Sequence, residues 1–297
     1  MTRRRRESTS SAPVALGAFC TGAVTSLVAA AILKGHPPGG AERWTRMNHA
    51  GRPVTLLEGP AYTVGAVVGA LSGGAGAPAT VAGLGAGVFG ALDDLFGGSS
   101  RKGLRGHLAA ARRGEVTTGF VKIVGLGVTG LATAWIADRS PARTGSETGP
   151  LATLVGGAVI AGSANVINLL DLRPGRALKV VLLLVVPFVA GRPGTRLSTA
   201  TAAATAGAAM AALPDDLSGR SMLGDTGANS AGALIGAALV ARTGLRGRLL
   251  ALASVTALTL VSEKVSFTKV IESSPTLRWL DALGRPPRPS HGDSPHP

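Results

Sequence analysis

Six aspartates stand where apolar runs end or begin. Asp93 and Asp94 close the run in GLGAGVFGALDDLFG, and Asp171 follows NVINLL. Asp215 and Asp216 precede the run that Asp225 opens in MLGDTGANSAGALIG. Only 16 Asp and Glu residues occur among 297, so their positions are informative. A carboxylate at a membrane edge is costly and is a functional candidate by default. Taken singly, each has a plainer reading as a helix cap or a headgroup contact. Three such places on one side favour a shared site. Carboxylates converging from several loops suit a hard divalent cation such as Mg2+, typically held by one or two carboxylates together with phosphate oxygens. Lys102, Arg105, Lys122, Arg173, Arg176 and Lys179 lie nearby and suit phosphate oxygens. For most of these cations, positive-inside anchoring is the simpler role. The chemistry implied is phosphoryl transfer at a membrane surface.

Asn165, Asn168 and Asp171 recur at every third residue of an otherwise apolar run. On a helix that spacing keeps them near one face, which should look into the bundle or a wet cleft. Interhelical hydrogen bonding by the asparagines is the plainer alternative. Pro174-Gly175 then breaks the helix. Two GxGxxG matches, Gly85/Gly87/Gly90 and Gly125/Gly127/Gly130, lie inside apolar runs and not between a strand and a helix, so they read as packing glycines. None of the five histidines pair at metal-ligand spacing. His49 and His107 fall in loops on the same side as the carboxylates.

These residues need elements to hold them, and the composition says which kind. Charged residues make up 15% of the chain and the mean hydropathy is +0.32, whereas a soluble domain has about 25% charged residues. Apolar runs fall at 13–33, 59–72, 76–92, 119–137, 151–170, 178–191, 197–213, 226–241 and 248–262. The expected fold is an all-α polytopic membrane bundle of about nine transmembrane helices, within a range of eight to ten. Residues 1–284 read as a single transmembrane domain and 285–297 as a disordered Pro-rich tail. The start resembles a signal peptide, but 13–33 is long enough to span a bilayer and reads as a first transmembrane helix. The lone cysteine, Cys20, reads as a small buried residue.

Alternate loops differ in charge. Those at 34–58, 93–118, 171–179, 214–225 and 263–297 hold eighteen of the thirty Lys and Arg residues; the opposite set, counted with the N-terminal arginines, holds eleven. The positive-inside bias places the first set in the cytoplasm. The net charge of +14 thus points to anionic headgroups and phosphate-bearing substrates. Nucleic acid is disfavoured, because aromatics are only 3% and base stacking needs them.

In order, RMNHAGRPVTLLEGP, ALDDLFG, NVINLLD and MLGDTGANSAG resemble the motifs of the polyprenyl-phosphate sugar-1-phosphate transferase superfamily. That group includes the phospho-N-acetylmuramoyl-pentapeptide transferases and the polyprenyl-phosphate N-acetylglucosamine-1-phosphate transferases. The resemblance spans about Arg46 to Gly236. It implies a plasma-membrane, multi-pass, Mg2+-dependent transferase with cytoplasmic active-site loops. Such an enzyme moves a sugar-1-phosphate from a UDP-sugar to polyprenyl phosphate in cell-envelope glycan synthesis. By motif, Asp94 and Asp225 are the implied metal ligands, Asp93 the group that activates the lipid phosphate, and Asn168 and Asp171 the lining of the nucleotide and pyrophosphate pocket. Asn48, Asn165, Lys102, Arg105, Lys122 and Arg176 complete the expected substrate-binding set. The expected partners are polyprenyl phosphate, a nucleotide sugar and the membrane, and the fold is compatible with a homodimer.

The chain also departs from the family pattern. Where NxxNxxDGxDG is usual, it reads DLRPGR, with Leu172 and Pro174 in place of the Gly and the second Asp. A His-rich loop is missing; the corresponding place reads EKVSFTKVIESSPTLRWLDALGR. The alternative expectation is a non-catalytic membrane protein on the same scaffold that binds lipid phosphate or envelope-assembly partners.

Overall fold

The computed structural model describes residues 11–48, 51–97, 106, 110, 112–140, 149–190 and 194–286. Among them, each apolar run forms one helix: α1 (Ser11–Gly35), α2 (Glu58–Ser72), α3 (Gly76–Phe96), α4 (Thr118–Asp138), α5 (Pro150–Leu170), α6 (Arg176–Val189), α7 (Arg196–Leu217), α8 (Gly224–Arg242) and α9 (Leu245–Ser262). Two short helices follow, α10 (Phe267–Ser273) and α11 (Pro275–Ala282). Five helices, α1, α3, α4, α5 and α9, are long and apolar enough to cross a membrane. The fold is therefore an all-α bundle whose apolar helices suit a membrane.

The bundle is polar-tolerant inside and apolar outside. Thr133, Ser198, Thr201, Thr205, Asn229 and Ser230 are fully buried, whereas Leu16, Leu27, Ile32, Val88, Val128 and Leu250 are more than half exposed. In water so much exposed apolar surface would drive association. In lipid it is the natural outer surface, and small residues inside allow close helix packing. Helix α8 is the axis of the bundle, packing against α2, α3, α4, α5, α6 and α7, and nearly every residue from Gly224 to Ala241 is buried. Cys20, expected inside, is exposed on the outer face of α1. Helix α1 turns Ala18, Gly22 and Ser26 inward and leaves the thiol outward.

Gly90 shows how closely α3 and α8 approach. A Cβ built there would lie 2.2 Å from the Asp225 carbonyl oxygen, so the GxGxxG run does serve helix packing at this point. Gly90→Ala is expected to force α3 away from α8 and to destabilise the protein by about 1–3 kcal/mol. A thermal-unfolding series in one detergent measures this, and an unchanged midpoint would show that the contact is looser than described.

At one end of the bundle Arg248, fully buried at the start of α9, ties four helices together. Its guanidinium donates to both oxygens of Asp138 at the end of α4 (2.9 and 2.5 Å) and to the carbonyls of Ala152 in α5 (2.7 Å) and Val240 in α8 (2.9 Å). Thr153 adds a hydroxyl donor to Asp138 at 2.8 Å.

The opposite end holds a small strand unit that the apolar runs did not foretell. Strands β1 (Thr45–Met47) and β2 (Pro53–Thr55) pair antiparallel with Arg46 opposite Val54, and Thr55 also bridges to Ser221 in parallel. This ties the loop before α2 to the loop before α8. The same end carries α11, whose Asp281 receives both arms of the buried Arg176 guanidinium at 2.7 and 3.1 Å. Arg285, the first residue of the expected tail, is held by Asp281 at 3.0 Å and donates to the Pro174 carbonyl at 2.8 Å. Residues 287–297 lie outside the described part.

Candidate active site at the strand-bearing end of the bundle

Helix α8 begins with no cap from its own N-cap residue, Leu223. The first amides of any helix lack partners within it, and here α3 supplies them. Asp94 accepts from the Asp225 amide at 3.0 Å through Oδ1, and from the Thr226 amide at 2.9 Å and hydroxyl at 2.6 Å through Oδ2. A carboxylate at this position also favours the positive end of the helix dipole. Gly224 must be glycine: its φ is +59°, and a Cβ would sit 3.0 Å from both Asp94 oxygens. In GDTG, then, Gly224 turns the chain, Thr226 donates, and Asp225 is left to face elsewhere. Arg46, on β1, donates to the Asp94 carbonyl and anchors the strand unit to the end of α3.

Asp225 faces Lys122. The Lys122 ammonium lies 2.5 Å from Asp225 Oδ2 and 2.7 Å from Asp93 Oδ2, and the three side chains are only 15 to 23% exposed. Lys122 lies in the second turn of α4. Helical side chains lean toward the N-terminus, so its long stem reaches back to the end of the bundle. Two carboxylates from motifs more than a hundred residues apart thus point at one cation. The donor set is all hard oxygen, which fits Mg2+. Asp94 keeps a place in such a set, since three bonds fill three of the roughly four acceptor positions of a carboxylate and Oδ1 makes only one of them. Among the described residues, no three Asp, Glu, His or Cys side chains already form a metal cage by themselves.

Asp171 sits just beyond α5 and is buried, with Oδ2 lacking a hydrogen-bond partner among the described residues. Burial, and then the neighbouring carboxylates of Asp216, Glu58, Asp225 and Asp94, hold its carboxyl well above the usual range. Asp171 therefore belongs to the same acidic end as Asp94 and Asp225. Two further buried carboxylates join it, each with an oxygen that has no partner among the described residues: Glu58 Oε1 and Asp216 Oδ2. Ser221 donates to the other oxygen of Glu58. The sequence reading passed over Glu58 as a site residue; an acid opening an apolar helix was the available signal. Asp216 was noted there as an edge carboxylate without a role.

Other expected site residues divide. Asn165 donates to the Thr259 hydroxyl on α9 at 3.2 Å, so it serves a helix–helix contact. A three-residue step falls 60° short of a full turn of a 100°-per-residue helix, and two steps separate the Asn165 direction from that of Asp171. Asn168 lies in the last turn of α5, where its carbonyl accepts from the Asp171 amide at 3.1 Å. Asn48 occupies the turn between β1 and β2, and its Oδ1 accepts from the Arg52 amide at 3.0 Å. Arg176 is bound to Asp281 and to the Thr268 hydroxyl at 3.1 Å. Lys179 donates to the carbonyls of Leu280, Asp281 and Leu283 at the end of α11. Burial would raise the Asp281 carboxyl, but the Arg176 and Arg285 guanidiniums hold it below its ordinary range. Lys102, Arg105, His49 and His107 lie outside the described residues.

Compared with known proteins, the chain matches no protein-family profile and no curated protein.

Proposed function

We propose that this chain is a membrane phosphoglycosyltransferase that moves a sugar-1-phosphate from a nucleotide sugar to an isoprenoid phosphate in cell-envelope glycan synthesis. The observation that carries this reading is the meeting of Asp93 and Asp225, from two separate motifs, at one cationic point, with Asp94 bonded to the Asp225 amide beside them, at one end of an apolar bundle. Its setting is the plasma membrane, crossed by all nine long helices, with the acidic end in the cytoplasm where the loop cations concentrate.

Asp225 and Asp93 would hold Mg2+ at the point where their oxygens now meet Lys122, with Asp94, bonded to the Asp225 amide, beside them. Bound there, the ion would supply positive charge to the donor pyrophosphate. Through its second oxygen Asp93 would orient the lipid phosphate and accept its proton where one remains. A lipid phosphate oxygen then bonds to the sugar-linked phosphorus as the pyrophosphate bridge breaks, and the nucleoside monophosphate leaves. Lys122 supplies positive charge to the phosphate oxygens. A groove of about 520 Å3, lined by Met210, Leu213, Pro214 and Leu217 with Arg285 at its rim, offers an apolar berth for an isoprenoid chain beside a cation. Pro174, standing where the family pattern has a second Asp, favours the second reading, a non-catalytic lipid-phosphate binder on the same scaffold.

Incubating the purified protein with Mg2+, undecaprenyl phosphate and a panel of labelled UDP-sugars separates the two. The transferase reading expects lipid-linked product with at least one donor and none without the divalent ion. Lipid-phosphate binding without product from any donor would leave the second reading standing.

A further inference from the structure

We infer that Lys122 is the resident counter-ion of the Asp93/Asp225 site, and that a divalent cation binds there by displacing it. This rests on the reading of that site as a divalent-cation site.

Asp93 and Asp225 each present one oxygen to the same ammonium, at 2.7 and 2.5 Å. Two like charges brought so close repel unless a cation lies between them. A divalent ion at that point neutralises both carboxylates, and it cannot share the point with an ammonium of its own sign. The two cations are therefore alternatives. Displacement leaves the lysine nearby, because its stem stays anchored in the second turn of α4 and only the head moves. The released ammonium has three donors and no acceptor, so it turns to whatever anion arrives beside the ion. Lys122 thus couples the two events. Without the ion it is locked on the carboxylates; with the ion it is available to a phosphate oxygen.

Mn2+ titrations of the full-length protein, read by the electron paramagnetic resonance of the free ion, test this without a substrate. Lys122→Gln is expected to tighten Mn2+ binding on the order of tenfold or more, the scale on which one adjacent charge moves a carboxylate's affinity for a proton. Lys122→Arg, which keeps the charge, should stay close to wild type. In the wild-type protein itself, saturating Mn2+ should raise the reactivity of Lys122 toward an amine-acylating reagent, mapped by peptide mass. That measurement stands even if the glutamine variant does not fold. Wild-type Mn2+ binding with no gain in Lys122→Gln, or with unchanged Lys122 reactivity, overturns the inference and leaves the cation site intact. Absence of Mn2+ binding in wild type and variants alike overturns the cation reading and this inference together.

Discussion

Asp225→Asn is expected to lower transfer to the lipid acceptor by roughly a thousandfold, the scale on which removing one preorganised electrostatic group slows an enzyme. The fold should survive. The substitution keeps the side-chain volume, and the Asp225 amide still donates to Asp94. Asp94→Asn makes an instructive contrast. Its carboxylate accepts three bonds from the first residues of α8. An amide in its place would aim an NH2 group at backbone donors, leaving one of them unsatisfied at about 1–3 kcal/mol. Asp94→Asn should therefore lose both activity and thermal stability, while Asp225→Asn loses activity alone. Initial rates and unfolding midpoints measured on the same preparations distinguish them. Retention of a third or more of wild-type turnover by Asp225→Asn would remove Asp225 from the chemistry.

The second large effect belongs to the other end of the bundle. Arg248→Met should destabilise the protein by about 3–5 kcal/mol, because it strands the Asp138 carboxylate in the interior. That carboxylate is 4% exposed and pairs with a guanidinium that is fully buried. Asp138→Asn should be damaging for the converse reason. Replacing both partners, as in Asp138→Leu with Arg248→Met, is expected to recover much of the loss, since a buried pair is less favourable than its breakage suggests. A double-mutant cycle on unfolding midpoints in detergent reads the coupling. Strict additivity of the two single effects would show that the pair does not act as a unit. Activity of the folded fraction should change little, because the acidic site lies at the opposite end of the same helices.

Arg248 also marks a limit of reading by pattern. In the sequence it sits at the start of an apolar run and counts as a loop cation on the outer side. Its burial depends on α4, α5 and α8 converging on it, and its carboxylate partner is 110 residues away. Arg176 gives the same lesson at the other end. Its spacing beside Asp171 suggests a phosphate ligand, yet α11 folds back over 100 residues later and delivers Asp281 to it. Glu58 acquires its place through Ser221, 163 residues on. Asn165 illustrates a subtler failure. Its three-residue spacing from Asn168 is real, but the helix drifts by 60° at each step, and the packing of α9 takes up its amide.

Much else followed from the chain alone. Apolar length and the exclusion of unpaired backbone groups from lipid are local requirements, so nine runs yield nine helices with bounds close to those of the runs. Connectivity then fixes parity. The ends of α3, α5 and α7 and the starts of α2, α4 and α8 fall at one end of the bundle, which brings Asp94, Asp171, Asp216, Glu58, Lys122 and Asp225 to that end. What parity cannot specify is the rotation of each helix about its axis and the pairing of its side chains. Those depend on small-residue contacts such as that of Gly90 with α8. They decide that Asp94 caps a helix, that Asp93 and Asp225 share a lysine, and that Arg176 faces a carboxylate of its own chain. Hydrophobicity is a sum along the sequence, whereas an ion pair needs atoms within a few ångströms, and only the tertiary packing sets that distance.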